Sequence, residues 1–169
     1  TVQKYIAAGK DYVKSFEPFQ LNKIGVEKKV KFKIGDSNFV GFIDFLGEKD
    51  GNLYVIDHKS RDLKPRSKSA KPTVKDMELD DMLRQLYIYA GAVKQEYGEF
   101  PKWLCFNCFK SNTFIEEPFA ENKYNEAVEW AERNIEAIKE SDEFPPHIEY
   151  FGCKWICPYS EICEYRGMG

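Results

Sequence analysis

No stretch of the 169 residues approaches the roughly 20 consecutive apolar residues of a membrane helix, so no span is expected. No secretion or lipidation signal is legible, which predicts a cytoplasmic location. Cysteine is missing from the first 104 residues and then occurs five times, at Cys105, Cys108, Cys153, Cys157 and Cys163. An odd count without a secretion signal disfavours a disulfide framework and leaves metal ligation or plain burial. Charge of one sign is not in excess: the formal net charge is −3, so the chain is no polycation and a nucleic-acid partner would need local basic patches. Histidine is reduced to His58 and His147. There is no Met at position 1, and Thr1 opens inside a helical pattern, which leads us to expect residues ahead of it. Internal repeats are absent, so residues 1–169 read as a single domain, with 146–169 as a cysteine-bearing tail.

What is present is a globular composition, 43% hydrophobic and 31% charged, with a β-rich first half. Val2, Tyr5, Ile6, Tyr12, Val13 and Phe16 fall at helical spacing, and Pro18 ends that pattern. From Lys23 to Ile34 the chain alternates Lys29, Lys31 and Lys33 against Val30, Phe32 and Ile34, a half-exposed strand. A turn at 35–38 leads to a strand over Phe39–Leu46. Asp50-Gly51 marks a hairpin into a nearly all-apolar strand, Leu53–Asp57, suited to a central position. Residues 58–75 form a loop rich in Lys and Arg, with two prolines and three serines, and predict flexibility. Beyond it, Asp76 is expected to cap a helix whose stripe is Leu79, Met82, Leu83, Leu86, Ala90 and Val93, ended near Gly98. Two further strands, from Trp103 and from Thr113, precede a helix over Glu121–Asp142 that turns Tyr124, Ala127, Val128, Ala131, Ile135 and Ile138 inward. The order α-β-β-β-α-β-β-α predicts a mixed β-sheet flanked by α-helices.

Asp44 stands near the end of one strand, Asp57 ends the next, and Lys59 follows two positions on, hence on the same face as Asp57. A packed strand has no use for such groups. Two carboxylates can hold a divalent cation that neutralises a phosphodiester and acidifies a bound water, and a neighbouring lysine can stabilise the developing charge. The backbone carbonyl of His58 could add an oxygen ligand, and Mg²⁺ suits an all-oxygen set. The bland alternative is a surface hairpin with incidental charges. In the basic loop, Arg61, Lys64, Arg66 and Lys68 are candidates for phosphate contact; the alternative is a solvated loop.

Gly41-Phe-Ile-Asp44, Val-Ile-Asp57-His-Lys59-Ser and Gln85-Leu-Tyr-Ile-Tyr89, in that order, resemble the PD-(D/E)xK nuclease superfamily, and most of all its RecB-type exonuclease branch. The resemblance implies a restriction-endonuclease-like α/β fold and a metal-dependent DNA exonuclease using Mg²⁺ or Mn²⁺. It implies metal binding by Asp44 and Asp57, catalysis by Lys59, and support of the site or contact with DNA by Gln85 and Tyr89. Many relatives carry a Glu where Glu27 begins the first strand, which makes it a further candidate. The family's usual Glu or His on an upstream helix has no counterpart here except Glu17, and a non-catalytic DNA-binding or recombination-accessory module is the alternative reading.

The tail spacing Cys153-x3-Cys157-x5-Cys163 suggests a thiolate site for zinc or an iron–sulfur cluster. Relatives in the same branch often hold a [4Fe–4S] cluster on a similar triad plus an upstream cysteine. Cys105 and Cys108, three apart in an apolar strand, read as buried small hydrophobes, and His147 as a surface or core residue rather than a ligand.

Overall fold

The computed structural model describes residues 2–17 and 19–165; Thr1 and the expected helix stop at Pro18 lie outside the described residues. The chain runs α1 (Val2–Ser15), β1 (Asn22–Ile34), β2 (Ser37–Lys49), β3 (Asn52–Lys59), α2 (Val74–Tyr97), β4 (Trp103–Cys108), β5 (Thr113–Pro118) and α3 (Glu121–Glu140). A single π-helical turn follows at Gly152–Ile156. This is the order the periodicity predicts.

The five strands form one sheet in sequence order. Neighbours are antiparallel except β3 and β4, which run parallel and are joined by α2, so the sheet is mixed. β3 is central, as its apolar run implies. The β2–β3 hairpin closes on Asp50 (φ 53°) and Gly51 (φ 74°), both left-handed, the combination a type I′ turn requires.

The core lies between the sheet and α2. Leu79, Leu83, Leu86, Ala90 and Val93 of the helix are buried with Val30, Ile43, Val55, Leu104 and Phe106 of the strands. Each of the larger of these side chains contributes about 1.5–3 kcal/mol by leaving water. From α3, Ala127 and Ala131 enter the same core, with Tyr124, Val128 and Ile135 packed on its margin. Ile138, expected inward, is exposed, because α3 is buried only over its earlier turns. Cys105 and Cys108 are fully buried.

The start of α2 differs from expectation. Thr73 is the cap and Asp76 the third residue of a capping box: Thr73 Oγ1 accepts the Asp76 N–H at 3.2 Å, and Asp76 Oδ2 accepts the Thr73 N–H at 2.7 Å. α1 also differs. Its helix forms, yet none of its residues is buried, and Val2, Tyr5, Ile6 and Val13 stay exposed. It is held locally by ring contacts of Tyr12 with Phe16 and Phe109 and by hydrogen bonds from Asn107 to the Tyr12 hydroxyl and from Asn112 to Ser15.

By backbone contacts the chain divides into two compact units, Thr1–Ile135 and Glu136–Gly169. The first contains the whole sheet with α1, α2 and most of α3. The second contains the end of α3, the π-helical turn and the three tail cysteines. Among the described residues, no helix is long and apolar enough to cross a membrane.

Candidate active site

Pairing between β2 and β3 runs only as far as Phe45 with Ile56. One step further along stand Asp44 and Asp57, and there the ladder gives way to a side-chain bond: the His58 N–H donates to Asp44 Oδ2 at 2.7 Å. The sheet therefore opens where the two carboxylates sit. His58 is thus tied to Asp44 through its amide.

β1 changes at the same level. Register pairs Val26 with Phe45 and Lys28 with Ile43, so Glu27 stands opposite Asp44. Glu27 has φ 47°, a left-handed conformation unusual for Glu. The pleat slips by one residue on both strands. Lys28 reaches Glu96 of α2, and Gly41 lies against Tyr89 of α2. Val26 and Phe45, of the same parity, instead line a hollow on the opposite side of the sheet with Phe19 and His58. Glu27 thus sits in line with the two aspartates across three strands, although its side chain is exposed.

Asp57 is 6% exposed. Burial pushes its carboxyl above the ordinary value; Lys59 pulls it down and the Asp44 charge pushes it up. Lys59 Nζ is 2.7 Å from Asp57 Oδ2. That ammonium is the one partner of this buried oxygen found among the described residues, and it does not offset the cost of burial. Lys59 Nζ also donates to Gln85 Oε1 at 3.3 Å, and Gln85 Nε2 to the Tyr89 hydroxyl at 3.3 Å. The Phe106 ring lies 5.7 Å from the ammonium. The chain of contacts ends at Gly41, where an added Cβ would stand 2.7 Å from Tyr89 Cε1. Asp44, Asp57, Lys59, Gln85 and Tyr89 are thus brought together, and the glycine of the first motif is explained by the tyrosine of the third.

A desolvated carboxylate next to a second carboxylate is the donor chemistry a hard divalent cation takes. Asp44 and Asp57 fit such an ion. No group of three or more His, Cys, Asp or Glu side chains converges on a metal position among the described residues. Cys153, Cys157, Cys163 and His147, the residues of the expected thiolate site, line one cavity of about 290 Å³.

The basic loop is more constrained than its composition predicts. Leu63 is buried in the core, and Ser67 donates both its N–H and its hydroxyl to Asp76 at 2.7 and 2.6 Å. Arg61 pairs with Glu78; Arg66 pairs with Asp80 and Glu117, each at 2.8 Å. The two arginines expected to meet phosphate are occupied by carboxylates, which a count of basic residues along the loop does not reveal. Lys64 and Lys68 form no ion pair among the described residues.

Asn107 escaped the sequence reading. It is 5% exposed in β4, and its Nδ2 lies 2.6 Å from the Tyr12 hydroxyl and 2.9 Å from His58 Nδ1. One polar residue inside Trp-Leu-Cys-Phe-Asn-Cys-Phe was the available signal, since a buried amide must find partners.

The family model of the PD-(D/E)XK nuclease superfamily matches residues 1–164. No curated protein matches the chain. Of 22 solved chains that match, the crystal structure of SSO0001 has 19% identity and a TM-score of 0.45, over 98% of this chain and 70% of that one. A candidate exonuclease from Eubacterium rectale has 14% identity and a TM-score of 0.44, over 92% of this chain and 65% of that one.

Proposed function

Because the chain belongs to the PD-(D/E)XK nuclease superfamily, we propose that it is a DNA exonuclease of the RecB type, hydrolysing phosphodiester bonds with Mg²⁺ or Mn²⁺ held by Asp44 and Asp57. The observation that carries this reading is the buried Asp57 carboxylate, held against the Lys59 ammonium at 2.7 Å and one step from the β2–β3 ladder beside Asp44. A divalent cation there supplies a water of lowered pKa and neutralises phosphate charge. Asp57, whose carboxyl burial pushes up, would have to lose its proton to ligate the cation. Lys59 faces the same opening and stabilises charge on the phosphate oxygens as they become more negative. Gln85 fixes the Lys59 ammonium, and Tyr89 fixes Gln85. Glu27, opposite Asp44, is the candidate for a third carboxylate.

The absence of a third converging carboxylate or histidine among the described residues supports a second reading, a DNA-binding module without hydrolysis. Digestion of single- and double-stranded DNA in Mg²⁺ or Mn²⁺ separates the two. Wild type cleaves; Asp57→Ala abolishes cleavage; Lys59→Ala lowers it about 10²–10³-fold, the usual effect of removing a group that stabilises developing charge. Equal digestion by wild type and both variants overturns the site assignment. Binding without digestion by wild type supports the second reading.

A further inference from the structure

Half of β1 is lysine on its open side. Lys29, Lys31 and Lys33 are exposed and alternate with the core residues Val30, Phe32 and Ile34. None of the three forms an ion pair among the described residues, in a chain whose net charge is −3 and whose loop arginines are all paired. Register sets Phe42 beside Lys29 and Val40 beside Lys31. Phe42 is 50% exposed, and the Lys29 ammonium lies 6.0 Å from its ring. Alternate strand residues are about 6.6 Å apart, comparable to the separation of successive phosphates in an extended strand.

This lysine row continues into the hollow on the same side of the sheet. The slipped pleat at Glu27 turns Val26 and Phe45 into it, where they meet Phe16, Phe19 and His58 in a space of about 680 Å³ with Lys23 on its rim. Phe45 directly follows Asp44, and His58 directly follows Asp57. The hollow is therefore one residue removed from each carboxylate, across the gap where β2 and β3 separate. His58 Nδ1 is engaged by Asn107, which fixes the ring in the hollow.

We propose that the open face of the β1–β2 hairpin binds single-stranded DNA, with Lys29, Lys31 and Lys33 on the phosphates and Phe42 and the aromatic hollow stacking unpaired bases. Cations that track a backbone, interleaved with rings that accept any base, are the means by which proteins hold single strands without reading sequence. A duplex would meet the lysines but has no free base face for the rings. The proposal deepens the nuclease reading and rests on its nucleic-acid substrate, naming an unpaired strand as the form that is held.

The test is fluorescence anisotropy with a labelled oligothymidylate and a duplex of equal length, in EDTA, using the full chain. Phe42→Ala is expected to weaken single-strand binding about 5- to 100-fold and to leave duplex binding unchanged. Lys31→Ala and Lys33→Ala each lower the single-strand salt slope by about 0.7. Phe42 is exposed, so melting curves should match wild type. Unchanged single-strand affinity in Phe42→Ala, or an equal loss on the duplex, overturns the proposal. So does concentration-dependent self-association that Phe42→Ala abolishes without altering DNA binding. Cleavage is assayed separately. If wild type cleaves nothing yet Phe42→Ala loses single-strand binding, the nuclease reading fails and the binding face stands. If Asp57→Ala stops cleavage while the face variants bind normally, the binding face alone fails.

Discussion

Asp57 carries the largest conflict between stability and function. Burial raises its pKa despite the Lys59 ammonium beside it, so the ionised carboxylate is less comfortable in the metal-free fold than in the unfolded chain. A raised carboxyl pKa means that the folded state holds the proton more tightly. The metal-free protein thus loses stability as pH rises from the unfolded value, about 3.9, through the raised folded value. Asp57→Asn removes the charge and keeps the shape. In EDTA at neutral pH it is expected to melt at or above the wild-type temperature, with the difference vanishing below about pH 4, while cleavage is lost. A lower melting temperature for Asp57→Asn in EDTA at neutral pH would contradict the assignment. Gly41 matters for a different reason. An added Cβ meets the Tyr89 ring at 2.7 Å, so Gly41→Ala should destabilise the fold by about 1–3 kcal/mol as an overpacking change. It should also slow cleavage by loosening Gln85 and Lys59. Urea unfolding alongside the digestion assay checks both, and wild-type values in each would remove the link from Gly41 to the lysine.

At the scale of elements, the join between the loop and α2 holds the site's shape. Asp76 accepts from the N–H and hydroxyl of both Ser67 and Thr73. These donors hold its carboxyl well below the usual carboxylate range, Ser67 most strongly. A depressed pKa has the opposite sign to that of Asp57: the stabilisation is present above the unfolded value and is lost as pH falls through the depressed one. Asp76→Asn should therefore destabilise at pH 7 and narrow its difference from wild type in strong acid, as read by denaturant melts at both pH values. Thr73→Ala removes one half of the capping box and should cost about 1 kcal/mol. Hydrogen exchange of residues 60–73 is expected to quicken in Asp76→Asn; wild-type exchange there would mean that Leu63 and the arginine ion pairs pin the loop without Asp76. The composition of this loop gave no hint of its anchoring, because Glu78, Asp80 and Glu117 lie on other elements and reach Arg61 and Arg66 only after folding.

For the whole molecule, the five thiols separate into two kinds. Burial pushes the Cys105 and Cys108 thiols up, while Cys153, Cys157 and Cys163 are partly exposed. A thiol reagent on the native, metal-free chain should modify the three tail cysteines rapidly and the other two only on unfolding; five equally fast thiols would show that the sheet opens readily. Much of this architecture is legible in the sequence. Period two in β1, the Asp50-Gly51 turn and the apolar stripe of α2 are local patterns, and local sterics and burial decide them. Asp44, Asp57 and Lys59 stand out as charges on short strands, but their grouping with Gln85 and Tyr89 comes from the resemblance to the nuclease superfamily rather than from spacing. The exposed stripe of α1 was not legible, because helical periodicity shows which residues share a face but not whether anything covers it. The sequence by itself determined the elements, their order and the residues of the nuclease motifs. Only tertiary structure decided that the sheet opens at Asp44 and Asp57, that Gly41 makes room for Tyr89, that the loop arginines are neutralised, and that the tail thiols line one cavity. Those outcomes depend on contacts between residues far apart in the chain, whose partners are set by packing rather than by spacing.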